Sequence, residues 1–192
     1  MKRIMTSSWS LHRTLGEVMY DWTETRGTPK RACGGEGEIS LLQVPGQLAK
    51  RDIGMLEICH FHLPQTEGAY IRELRSELDA HKIDLYSVLI DAGDVAHPDP
   101  EQRACEVIWV REWLELAAEL GARCARVIAG DAPPAGSGPI EDDPVVCASA
   151  ESFRELARSA RQLGIGLSTE NFRSLGCHVD ALSALLDRCE GE

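Results

Sequence analysis

The feature that most constrains this chain is an alternation of strand-like and helix-like segments along its 192 residues. Lys2–Ser10 reads as a strand, and a long polar loop from Tyr20 to Glu38 follows. Pro45 suits the first turn of a short helix ending near Lys50. Ile53–Phe61 is a second strand, and Glu67–His81 is an amphipathic helix with Ile71, Leu74 and Leu78 on one face. Ile83–Asp91 is a third strand. Asp99-Pro100-Glu101-Gln102 then supplies a cap, a proline at the first helical position and a glutamine three residues past the cap. That helix runs to about Leu120, where Gly121 ends it. Ala125–Ala129 is a fourth strand, and Gly130–Pro144 is a loop rich in Pro, Gly and Asp. A helix over Glu151–Leu163, a strand over Ile165–Glu170 and a helix from about Val179 to Arg188 complete the pattern.

Strands alternating with helices in this way predict an α/β chain with a parallel sheet. A (β/α)8 TIM-type barrel and a doubly wound open sheet are the two ordinary solutions. No G-x-G-x-x-G follows the first strand and no phosphate-loop motif occurs, which removes support from the nucleotide-binding open sheets. Complete barrels run to about 250 residues, and this sequence holds about five βα units. The expectation is a single domain over residues 1–192 that is an incomplete barrel, its N-terminal five βα units.

Composition narrows the function. Asp and Glu number 31 against 20 Lys and Arg, a net charge of -11, which argues against nucleic acid as a partner. No apolar run approaches the length of a bilayer span, and MKRIMTSSWS lacks the apolar core of a secretion signal. The seven cysteines are odd in number and form no C-x-x-C pair. Free thiols in a reducing cytoplasm are the expectation.

Three clusters could carry chemistry. In Gly164-Ile-Gly-Leu-Ser-Thr-Glu170, strand alternation puts Ile165 and Leu167 on one face and Gly166, Ser168 and Glu170 on the other. Two small residues and then an acid leave room for a ligand beside the carboxylate. A salt-bridged glutamate at the strand end is the competing reading, and spacing leaves both open. In Glu57-Ile-Cys-His-Phe-His62, Leu56 and Ile58 look helix-facing. His60 and His62 share their parity, so they reach a loop only if the strand has ended by Cys59. In Leu89–Asp99, Asp91 ends a strand, Gly93 allows a turn, and Asp94, His97 and Asp99 follow, either as turn formers and caps or at a pocket rim. Trp9 and His12 lie just after the first strand, whereas Trp109 and Trp113 have helical packing spacing.

Ser7-Ser-Trp-Ser-Leu-His12, Leu56-Glu-Ile-Cys-His-Phe-His-Leu-Pro64, Leu89-Ile-Asp-Ala-Gly-Asp94 and Leu167-Ser-Thr-Glu-Asn-Phe172 together resemble the sugar phosphate isomerase/epimerase family, the xylose isomerase-like TIM barrels. The resemblance implies a divalent metal ion (Mn, Mg, Zn or Co) held by a Glu, an Asp, a His and a second Glu from the fifth to eighth strands. Only the first has a match here, Glu170. By the resemblance Glu170 is both metal ligand and catalytic group, with Trp9, His60 and His62 as substrate-binding residues; position at the strand ends adds His12 and Asp91 as substrate-binding residues. It implies isomerisation or epimerisation of a sugar or sugar phosphate by an enediolate-type proton transfer. One carboxylate cannot build a hard-cation site. A second expectation therefore stands beside the first: a non-catalytic partial barrel that binds a small polar ligand or a partner subunit. Unpaired strand edges lead to the further expectation of a homo-oligomer.

Overall fold

A computed structural model describes residues 4–15, 19–21, 30–32, 37–136 and 138–190. Its strands are β1 (Ile4–Ser7), β2 (Met19–Asp21), β3 (Lys30–Ala32), β4 (Ile53–Cys59), β5 (Asp84–Ile90), β6 (Cys124–Val127) and β7 (Gly166–Ser168). Its helices are α1 (His12–Leu15), α2 (Val44–Ala49), α3 (Gly68–Ala80), α4 (Pro100–Glu119), α5 (Pro144–Leu163), α6 (Arg173–Gly176) and α7 (Val179–Arg188). Five strands form one parallel sheet in the order β1-β4-β5-β6-β7. Each strand neighbours the next βα unit in sequence, which is the order of a TIM-type barrel carrying about five units.

The chain divides into two compact units, one of residues 1–91 and 116–125, the other of residues 92–115 and 126–192. In the first, β1 runs parallel to β4 with Ser7 opposite Glu57, and β4 runs parallel to β5 with Glu57 opposite Ser87. Leu56, Ile58, Leu63, Ile71, Leu74 and Ile90 are fully buried, so the apolar parity of β4 and the stripe on α3 both face the core as the sequence implies. Strand β1 ends at Ser7 rather than Ser10, because Ser7 Oγ accepts the Trp9 N–H at 3.2 Å and Ser8–Leu11 turn into a 3₁₀ helix; the predicted start at Lys2 lies outside the described residues. Within the stretch Tyr20–Glu38, β2 and β3 pair as an antiparallel ribbon with Tyr20 opposite Arg31.

The second unit takes in most of α4. Asp99 caps that helix, its Oδ1 accepting the N–H of Glu101 (2.8 Å) and Gln102 (3.1 Å). Those two bonds, Gln102's the larger, hold the Asp99 carboxyl below the ordinary carboxylate value. Helix α5 begins at Pro144, seven residues before the predicted Glu151. Asp143-Pro144 repeats the cap-plus-proline signal of Asp99-Pro100, but inside a segment whose Pro, Gly and Asp content reads as loop. Asp143 is buried and accepts the N–H of Val145 (2.9 Å) and Gly136 (3.1 Å). Two buried hydroxyls fasten α5 in place: Ser149 donates to the Ala129 carbonyl and Ser152 to the Val95 carbonyl, each at 2.7 Å. Gly93 has φ +90°, and a Cβ there would stand 2.8 Å from Val110 Cγ2. Among the described residues no helix is long and apolar enough to cross a membrane.

Candidate functional site

The exits of β1 and β4 meet in the first unit. Strand β4 ends at Cys59, and His60–His62 form a 3₁₀ turn, so both histidines leave the strand before its alternation would drive them against the helices. Both are buried, His60 to 2% exposure and His62 to 4%. His60 Nδ1 lies 3.2 Å from the Asp91 nitrogen and 3.3 Å from the Leu89 carbonyl oxygen, which ties the turn to the end of β5. Ser8, with no exposed surface, accepts the Cys59 N–H at 2.8 Å, and its Oγ lies 2.7 Å from His62 Nδ1. The other nitrogen of His62 stands 3.0 Å from His12 Nδ1. Burial, and next the neighbouring His12, lower the His62 pKa from 6.5 to about 4. Trp9 is 57% exposed, stacks on His12 with ring centroids 4.9 Å apart, and meets the edge of Phe61 at 5.9 Å. Trp9, His12 and His62 therefore come together, while His60 shares the turn of His62 and meets the backbone of Leu89 and Asp91.

The second unit places Glu170 two residues beyond β7. Strand β7 is half the predicted length, yet its parity holds: Ile165 is buried while Gly166, Ser168 and Glu170 are exposed. Glu170 Oε1 stands 3.2 Å from Nη2 of Arg126, a guanidinium that is only 7% exposed. Phe172 lies between two guanidiniums, Arg126 at 5.6 Å and Arg173 at 5.8 Å from its ring centre. Arg173 pairs in turn with Asp131 at 3.2 Å. Asp94 organises its loop, accepting the N–H of Ala96 (3.2 Å) and Asp131 (3.1 Å).

Sequence reasoning missed two of these residues. Arg126 was legible, because a lone arginine inside the apolar run Ala125–Ala129 must find an anion. Ser8 carried no local signal at all. The ligand set of a divalent cation does not fit here. Among the described residues no three His, Cys, Asp or Glu side chains converge, and Glu170 already faces a cation in Arg126. At the other ends of β4 and β5 lies a cavity of about 380 Å³ lined by Arg75, Lys82, Asp84 and Arg123. There Arg123 pairs with Asp84, and Arg75 donates to the Glu119 carbonyl.

A family profile described as xylose isomerase-like TIM barrel matches residues 47–191. Among solved structures, an L-ribulose 3-epimerase aligns with 100% of this chain and 58% of its own, at 14% identity and a TM-score of 0.68. The probable 3-DHS dehydratase of petrobactin synthesis from Bacillus anthracis aligns with 98% of this chain and 60% of its own, at 12% identity and a TM-score of 0.67. A D-psicose 3-epimerase from Clostridium cellulolyticum H10, solved with D-tagatose, covers 77% of this chain and 55% of its own, at 21% identity and a TM-score of 0.61. This chain thus spans little more than half the length of the structures it matches. Among curated proteins none matches it.

Proposed function

This chain belongs to the xylose isomerase-like TIM-barrel family, and from that premise we propose that the protein isomerises or epimerises a sugar or sugar phosphate by an enediolate-type proton transfer. Glu170 takes the proton from the carbon beside the sugar carbonyl. The C–H electron pair moves into an enediolate as the carbonyl π pair moves onto its oxygen; the carboxyl group then returns the proton to the adjacent carbon while the hydroxyl proton passes between the two oxygens, which completes an isomerisation, and an epimerisation takes its proton from a donor on the opposite face. Arg126 holds the Glu170 carboxylate in place from its buried side. Within the first unit, Trp9, His12, His60, His62 and Asp91 are proposed as carbohydrate-contacting residues, with the Trp9–His12 stack as the exposed surface. The observation that carries it is Glu170 itself, a half-exposed carboxylate at the C-terminal end of a parallel strand, where barrel enzymes keep their chemistry. A divalent cation would need ligands besides those on these residues, and no step is drawn through one. A cytoplasmic location belongs to the proposal and draws support from the exposed thiol of Cys177.

The test is solvent exchange on a ketose. Incubation of the intact protein with D-psicose in heavy water, with Mn²⁺, Mg²⁺, Zn²⁺ or Co²⁺ added in turn, should place deuterium on the carbon next to the carbonyl. Glu170→Gln should slow this about 100-fold or more. Absence of exchange with every ketose and metal tried, or equal rates in the variant, overturns the proposal. The ion pair that engages Glu170 favours one other reading, a barrel that binds a small polar ligand or a partner subunit without turning it over. Saturable D-psicose binding with no deuterium uptake would select it.

A further inference from the structure

The chain of groups from Cys59 to His12 has a direction, and that direction decides what His12 can do. Cys59 N–H donates to Ser8 Oγ. Ser8 is wholly buried, and its hydroxyl proton must go to an acceptor. His62 Nδ1 at 2.7 Å is the acceptor in reach. The reverse arrangement, with His62 Nδ1–H donating to Ser8, would leave the serine proton buried with no acceptor among the described residues. His62 is neutral near pH 7, since burial holds its pKa at about 4. Its single proton therefore sits on Nε2 and donates to His12 Nδ1. His12 Nδ1 is then an acceptor, and the His12 proton sits on Nε2. That nitrogen has no hydrogen-bond partner among the described residues, and its ring is stacked under the exposed indole of Trp9.

We propose that Ser8 and His62 are positioning residues which fix His12 as the Nε2–H tautomer, so that it presents a hydrogen-bond donor beside Trp9 to an oxygen of the ligand. His12 at Nε2 donates and does not accept, so it recognises a carbonyl, hydroxyl or other acceptor oxygen and does not abstract a proton. That the oxygen belongs to a carbohydrate rests on the function proposed above; the tautomers do not.

Long-range ¹H–¹⁵N correlation spectra of the ¹⁵N-labelled protein at pH 7.5 read the tautomer directly. In both His62 and His12, Nδ1 should fall in the unprotonated range and Nε2 in the protonated range. Ser8→Ala should lose this single pattern, with the two nitrogens of each ring moving toward intermediate shifts. The wild-type spectrum decides the question even if Ser8→Ala fails to fold: a proton on Nδ1 of either ring overturns the relay. Titration with D-psicose should then move the His12 Nε2–H resonance and leave that of His62 nearly in place. If D-psicose is epimerised while His12 stays unmoved, the donor role fails and the sugar reading stands. If no ketose binds while both rings keep the Nε2–H form, the relay stands and the sugar reading fails.

Discussion

Acidification from pH 7.5 to 5 should remove about 2 kcal/mol of folding stability through His62 alone. The side chain is 4% exposed, and its pKa falls from 6.5 in the unfolded chain to about 4 in the fold. Because the folded value is the lower one, the unfolded chain takes up the proton first. Stability from this group is complete above pH 6.5, declines as the pH drops from 6.5 toward 4, and is constant below both values. At pH 5 the unfolded imidazole is almost fully protonated and the folded one about one-tenth so, which gives the 2 kcal/mol; the limit at lower pH is about 3 kcal/mol. The assay is urea unfolding of wild type and His62→Asn at pH 7.5, 6.5 and 5. The asparagine amide oxygen can still accept from Ser8 but does not titrate. Carboxylates and the net charge of -11 are shared by both proteins and drop out of the difference. A difference between the two stabilities that stays within about 0.5 kcal/mol from pH 7.5 to 5 would refute the burial argument.

The Arg126–Glu170 pair should respond asymmetrically, because the arginine is 7% exposed and the glutamate 47%. Glu170→Gln removes a charged partner from a buried guanidinium and should cost about 1–3 kcal/mol, whereas Arg126→Met leaves a carboxylate that water can reach and should cost about 1 kcal/mol or less; the reverse order in urea melts contradicts the geometry. Asp143→Ala removes the acceptor of two N–H groups at the start of α5 and should cost about 1–2 kcal/mol, with Asp143→Asn recovering part of it in thermal melts. The sheet order ends on β1, whose Ile4 and Met5 are 55% and 45% exposed. Size-exclusion chromatography should show a dimer or larger species, and a stable monomer would show that this edge is protected in another way.

Local patterns in the sequence determined the βα alternation, the cap at Asp99, the apolar stripe of α3 and the side of β7 on which Glu170 stands. Each depends on residues within a turn or a strand of one another, so period and capping chemistry suffice to read them. The tertiary structure alone decided which distant groups meet. Parallel pairing sets Ser7 opposite Glu57, and that register delivers Ser8, the next residue, to Cys59 and His62 across fifty-one and fifty-four positions of chain. The neighbouring strands β6 and β7 likewise bring Arg126 to Glu170. A histidine in the sequence has two possible tautomers and no preferred role. Burial beside one serine hydroxyl selects the tautomer, and no pattern along the chain encodes that burial.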